Sequence, residues 1–182
     1  SVASPDLALI TNIGDSHLEY LKNRKGVFAE KSALLKETIN RGGKVFINND
    51  DKILKEFGKT LKNKITFALD EKADYRVAIK GYDKLARPQI EIKSKKNDFA
   101  STLPISGEKN VLNFTAAFAI ASELGLTNSQ IQKAVKKIKS YNKRLEIKNH
   151  QSFTLINDTY NANPDSMKSS LDILNRIESR KR

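Results

Sequence analysis

The sequence has no cysteine and no tryptophan, a single methionine and only four prolines in 182 residues. Without cysteine there is no disulfide framework and no thiolate zinc site, which fits a reducing compartment. No run of about 18 apolar residues occurs and the N-terminus lacks a signal-peptide pattern, so a cytoplasmic chain with no membrane insertion is expected. Aromatic residues are scarce, at 7%. They seldom stand among the basic residues, as a base-stacking surface for single-stranded nucleic acid would need.

What is plentiful is lysine. Lys and Arg number 33 against 21 Asp and Glu, a net charge of +12. That balance invites a nucleic-acid reading through phosphate neutralisation. The lysines are spread over most of the chain, however, and solvated faces or attraction to small anionic substrates explain them as well. Nucleic acid is therefore not an expected partner. The length is sufficient for one domain or one and a half with a real core.

Asp6 to Ile13 is a short, nearly continuous apolar run, which suits a strand buried on both faces. A helical period over Val27 to Arg41, a strand at Lys44 to Asn48, a helix at Asp50 to Leu61 and a strand at Ile65 to Ala68 follow. This is the alternation of a parallel sheet with covering helices. From Asp74 to Leu103 the pattern becomes alternating, with turns at Gly81-Tyr82-Asp83 and Lys95 to Asp98, and predicts about three antiparallel strands in a meander appended to the sheet. Helices are predicted at Glu108 to Leu124 and Thr127 to Ser140, the second opened by a Thr127/Gln130 capping box and burying Ile131, Ala134, Val135 and Ile138. A strand at Phe153 to Asn157 and a helix from Pro164 to about Glu178 complete the pattern.

Several residues have chemistry to offer. His17 lies just past the first strand, where ligands of open α/β sheets gather. Lys31 falls inside the apolar arc formed by Val27, Phe28, Leu34, Leu35 and Ile39. It is either a lysine that snorkels out of the interface or one whose amine is made neutral and reactive by apolar packing. The stretch I-N-D-T-Y-N-A-N-P-D-S-M from Ile156 to Met167 runs a strand into a helix opened by Asn163 and Pro164. Such a junction presents free backbone N–H groups. With Asp158, Tyr160 and Asn161 beside it, the junction can take a sugar hydroxyl or a phosphate; the plainer reading is an Asn- and Asp-rich turn.

The words in that stretch resemble the start of the C-terminal domain of the Mur ligases, and within the family the branch that joins D-alanyl-D-alanine to UDP-MurNAc-tripeptide. Three further stretches resemble the family in order and spacing: T-N-I-G-D-S-H-L-E, F-A-E-K-S and G-E-K-N-V-L-N-F-T, followed by Arg144-Leu145-Glu146 at the interdomain hinge. The resemblance implies His17 as a magnesium ligand, Lys31 as a carbamylated second ligand, Asn110 and Asn113 near the adenine of ATP, Arg144 on its phosphates, Asp158 on the ribose, and Tyr160 and Asn161 lining the nucleotide. Where family members usually have His before the first asparagine, this chain has Lys109.

The implied fold is α/β: a partial central, ATP-binding domain over residues 1–143, then the first β-α of a Rossmann-like C-terminal domain over 144–182. The implied activity is amide ligation through an acyl phosphate, by a monomer. No G-x-x-G-K-[ST] phosphate loop occurs, so a fragment that does not catalyse ligation alone is expected. The alternatives are another Mur or folylpolyglutamate-type ligase, or a basic binding module without catalysis.

Overall fold

The computed structural model describes residues 4–14, 22–141, 143–160 and 164–177. Strands β1 (Leu7–Ile10), β2 (Lys44–Asn48) and β3 (Lys64–Ala68) run parallel, joined by helices α1 (Arg24–Asn40) and α2 (Lys52–Lys59). Strand β4 (Tyr75–Tyr82) adds in parallel to the end of β3, and β5 (Pro88–Ser94) and β6 (Phe99–Thr102) continue antiparallel, so the six strands lie in sequence order in one sheet. Helices α3 (Glu108–Glu123) and α4 (Asn128–Val135) follow. A separate antiparallel pair, β7 (Glu146–Asn149) and β8 (Thr154–Asn157), leads to helix α5 (Pro164–Arg176).

The sheet is covered on both faces because its central strands, KVFIN and KITFA, turn apolar side chains to each face. In β2 the alternate residues Val45 and Ile47 meet Val27 and Leu35 of α1 and Leu54 of α2, whereas Phe46 turns to the other face. There it joins Phe67, Val77, Ile92 and the α3 residues Val111, Phe114 and Phe118. Local chemistry sets the helix starts. Asp51 caps α2 by accepting from the N–H groups of Ile53 and Leu54, both at 3.0 Å. Thr127 and Gln130 form the reciprocal capping box of α4.

Four expectations need correction. Strand β1 ends at Ile10 rather than Ile13, because the next backbone groups bond to side chains: the Ile13 N–H donates to Asp51 at 2.6 Å, and the Thr11 carbonyl accepts from Asn48 at 2.8 Å. Gly81 and Tyr82 lie within β4 at a register shift, and the turn is Asp83 to Arg87, gathered by the Asp83 carboxylate, which accepts from Leu85 and Arg87. Helix α4 stops at Val135, where the bonds tighten to Lys137 N–H with Ala134 O and Ile138 N–H with Val135 O. Ile131 and Val135 are buried and Ile138 packs on the core, but Ala134 is exposed. Strand β7 is absent from the sequence reading, and the helix start at Asn163 lies outside the described residues.

Candidate functional site

Glu123 at the end of α3 holds Lys44 at the start of β2, at 2.9 Å. Helix α3 therefore runs against the parallel strands, and its first turn lies toward their carboxyl ends, where α/β folds bind ligands. Burial alone would raise the Glu123 carboxyl, yet hydrogen bonds from Lys44, Lys96 and Tyr75 outweigh it and hold the group below its ordinary value.

A cavity of about 460 Å³ opens beside that first turn, between α3 and the segment that enters and leaves β7 and β8. Asn110 and Asn113 of α3 line it from one side; Arg144, Asp158 and Tyr160 line it from the other. Asn113 is exposed, and the Asn110 amide donates to the Ser106 carbonyl at 2.7 Å, which fixes its orientation and leaves its oxygen free to accept. Gly107 just before the helix has φ +96°, a backbone that L side chains avoid, and a Cβ there would stand 3.2 Å from Leu145. The close approach of the two walls depends on that glycine.

Arg144 lies over the Tyr160 ring, its Cζ 3.9 Å from the centroid, and Tyr141 meets the same ring edge-on at 6.3 Å. Tyr160 keeps 56% of its surface and Tyr141 keeps 70%, which is far more than buried packing tyrosines would. Asp158 is half-buried; its carboxylate accepts from the Leu145 N–H at 3.0 Å and from the Ser170 hydroxyl at 2.6 Å. Lys109 and Lys139 stand at the rim. The arrangement offers amides for a polar ring edge, open aromatic faces, a carboxylate that meets one donor on each oxygen among the described residues, and three cations for negative charge. Its size and donor set fit a nucleotide.

The structure thus brings together five of the eight residues singled out in the sequence: Asn110, Asn113, Arg144, Asp158 and Tyr160. His17 and Asn161 lie outside the described residues. Lys31 lies apart from the cavity and is exposed, not partly buried. Its long stem carries the amine past the end of β1 to the Asn12 carbonyl, at 3.4 Å. The buried line of α1 is Val27, Ser32, Leu35 and Thr38, and Leu34 from the predicted arc is 42% exposed. The apolar surroundings expected around the Lys31 amine are therefore not there, and an unmodified lysine amine is a poor partner for a hard metal ion. Among the described residues no group of three or more His, Cys, Asp or Glu could hold a metal ion, and no helix is long and apolar enough to cross a membrane. Sequence reasoning missed Tyr141, Lys139 and Ser170; for Tyr141 the signal was its position three residues before Arg144.

Known proteins resemble this chain over most of its length. UDP-N-acetylmuramoyl-tripeptide--D-alanyl-D-alanine ligase of Bacillus subtilis is 30% identical over 178 residues, which are 97% of this chain and 38% of that protein. UDP-N-acetylmuramate--L-alanine ligase of Persephonella marina is 33% identical over 176 residues, 92% of this chain and 36% of that protein. The chain thus spans little more than a third of the length of these relatives. The fold matches that of MurF ligase from Thermotoga maritima in complex with ADP, with a TM-score of 0.81 at 23% identity, over 96% of this chain and 40% of that one. The Mur ligase middle domain model matches residues 1–121. The chain belongs to the Mur ligase family.

Proposed function

We propose that this chain is the ATP-binding part of a peptidoglycan-precursor ligase, comprising the rear of a central domain up to residue 143 and the start of a C-terminal domain from residue 144. The observation that carries the reading is the convergence of Asn110, Asn113, Arg144, Asp158 and Tyr160 on one cavity of nucleotide size. In this reading the asparagine amides take the adenine edge, Tyr160 and Asn161 line the nucleotide, and Asp158 accepts from the ribose hydroxyls. Arg144 takes phosphate oxygens as the C-terminal segment closes on the cavity.

The reaction proposed for the complete enzyme joins UDP-MurNAc-tripeptide to D-alanyl-D-alanine, in a cytoplasmic monomer. The tripeptide carboxylate takes the terminal phosphoryl group of ATP, the dipeptide amine attacks the acyl phosphate, and phosphate leaves as the amide forms. Magnesium would neutralise phosphate charge, held by His17 and by Lys31 in the form of a carbamate, whose two oxygens suit a hard cation where the bare amine does not. The exposed amine is open to carbon dioxide. A carbamate carbonyl signal in 13C spectra under labelled carbon dioxide, absent from Lys31→Arg, tests that assignment; identical spectra would remove it.

A second substrate reading, addition of L-alanine to UDP-N-acetylmuramate, is favoured by the 33% identity to the Persephonella marina enzyme. A basic module for nucleic acid is the rival of another class. Titration with ADP and with a DNA oligonucleotide at low and moderate salt separates them. The account expects saturable ADP binding that weakens in Asn113→Ala and Arg144→Ala. DNA binding that collapses steeply with salt, with no ADP binding, would contradict it.

A further inference from the structure

The turn that carries Arg144 has an unusual backbone. Lys143 (φ 60°) and Leu145 (φ 47°) both occupy the left-handed region, and neither is a glycine. L side chains rarely adopt that conformation, so neighbouring groups must hold the turn in place. Besides a long bond from the Ser140 hydroxyl to the Leu145 carbonyl, at 3.5 Å, three shorter bonds among the described residues do so. The Arg144 N–H donates to the Tyr141 carbonyl at 2.9 Å, and the Tyr160 N–H donates to the Lys143 carbonyl at 3.0 Å. The Leu145 N–H donates to Asp158 Oδ1 at 3.0 Å.

The third bond depends on how the Asp158 carboxylate is turned. A carboxylate rotates about a broad, roughly two-fold torsion, and one backbone donor does not fix it. The other oxygen, Oδ2, accepts from the Ser170 hydroxyl at 2.6 Å, a short charge-assisted bond from α5. A continuous path therefore runs from α5 through Ser170 and Asp158 to Leu145, and from Leu145 to the guanidinium lying on Tyr160.

We propose that Ser170 is a positioning residue for the nucleotide cavity: by orienting the Asp158 carboxylate it pins the left-handed turn and so holds Arg144 over the Tyr160 ring. Asp158 then has two duties, since among the described residues each of its oxygens serves one protein donor, which leaves a lone pair on each for a ligand hydroxyl. Any shift of α5 is transmitted to Arg144 through the same two bonds. The functional consequence rests on the nucleotide reading above; the positional claim does not.

The test is side-chain NMR of the 182-residue chain. A guanidinium 3.9 Å above a tyrosine ring has its side-chain protons shielded, so the Arg144 signals lie upfield of those of a free arginine. In Ser170→Ala they return toward the free position, whereas Ser170→Thr, which keeps the hydroxyl, leaves them upfield. The methyl signals of Ile173 and Ile177, which pack on Ala86, stay in place in both variants and report that α5 remains docked. Asp158→Asn, which weakens the acceptor, shows the same loss. ADP affinity falls about tenfold in Ser170→Ala and is kept in Ser170→Thr.

An unchanged Arg144 position in Ser170→Ala overturns the proposal. So does a loss in which the Ile173 and Ile177 methyls move as well, since the serine would then merely anchor the helix. If Arg144 shifts as stated but no protein, the parent included, binds ADP, the positioning role stands and the nucleotide reading falls.

Discussion

The six-stranded body and the β7–β8–α5 segment are built on different terms. The body encloses its own aromatic core: Phe46, Phe67 and Phe118 are at most 1% exposed, and Phe99, Phe114 and Phe118 pack in a row between sheet and α3. The terminal segment leaves Phe153, Leu155, Met167 and Leu171 between 43% and 58% exposed, and its buried residues Ile173 and Ile177 rest on Ala86 of the body. Its order is borrowed. Arg176 adds to the docking by lying over Tyr82, 4.4 Å from the ring centroid, and by meeting Glu108 at 3.5 Å. The candidate site sits between a self-sufficient wall and a dependent one, so the dependent wall is the one whose position a few bonds can change.

The comparison breaks most visibly at Phe118. Phe118→Ala should cost about 3–5 kcal/mol in urea unfolding, since it empties the centre of the body core. A cost near zero would mean that the body core is not what holds the sheet. Ile173→Ala should remove about 2 kcal/mol of docking. That loss is expected as faster amide exchange in β7, β8 and α5, with protection in β2 and β3 unchanged. Uniform acceleration across the chain would show one cooperative unit instead of two.

Acid offers a milder probe of the body. The Glu123 carboxyl, despite the upward push of burial, is held below its ordinary 4.5 by Lys44, Lys96 and Tyr75. A group depressed in the folded state adds stability that is full above its unfolded value and is lost as pH falls through the folded one. Stability should therefore drop from about pH 4.5 downward, and the drop should be shallower in Glu123→Gln. Equal slopes in both proteins would remove Glu123 from the account. The smallest effect belongs to Phe153→Ala on the exposed face, within about 0.5 kcal/mol of the parent.

The body was the more legible region. Continuous apolar runs marked β1, β2 and β3 because strands buried on both faces need no polar alternation, and Asp51 and the Thr127/Gln130 pair marked helix starts through local hydrogen bonds. Asn110, Asn113, Arg144, Asp158 and Tyr160 were legible as words of a family and converge in space. Strand β7 was not, since Glu146–Asn149 has one apolar residue and forms only by pairing with β8. Lys31 sits at the right angle on its helix, but periodicity says nothing of where a helix overhangs a strand end. The bond from Ser170 to Asp158 joins residues of different elements, and no local pattern announces it.

The most direct measurement is an ADP titration followed by amide and side-chain NMR of the whole chain. The account predicts that the signals of Asn110, Asn113, Arg144 and Tyr160 move together along one saturable curve, while those around Lys44, Lys64 and Glu123 at the opposite end of the strands stay still. Movement centred on that opposite lysine cluster, or no saturable movement at all, would contradict it.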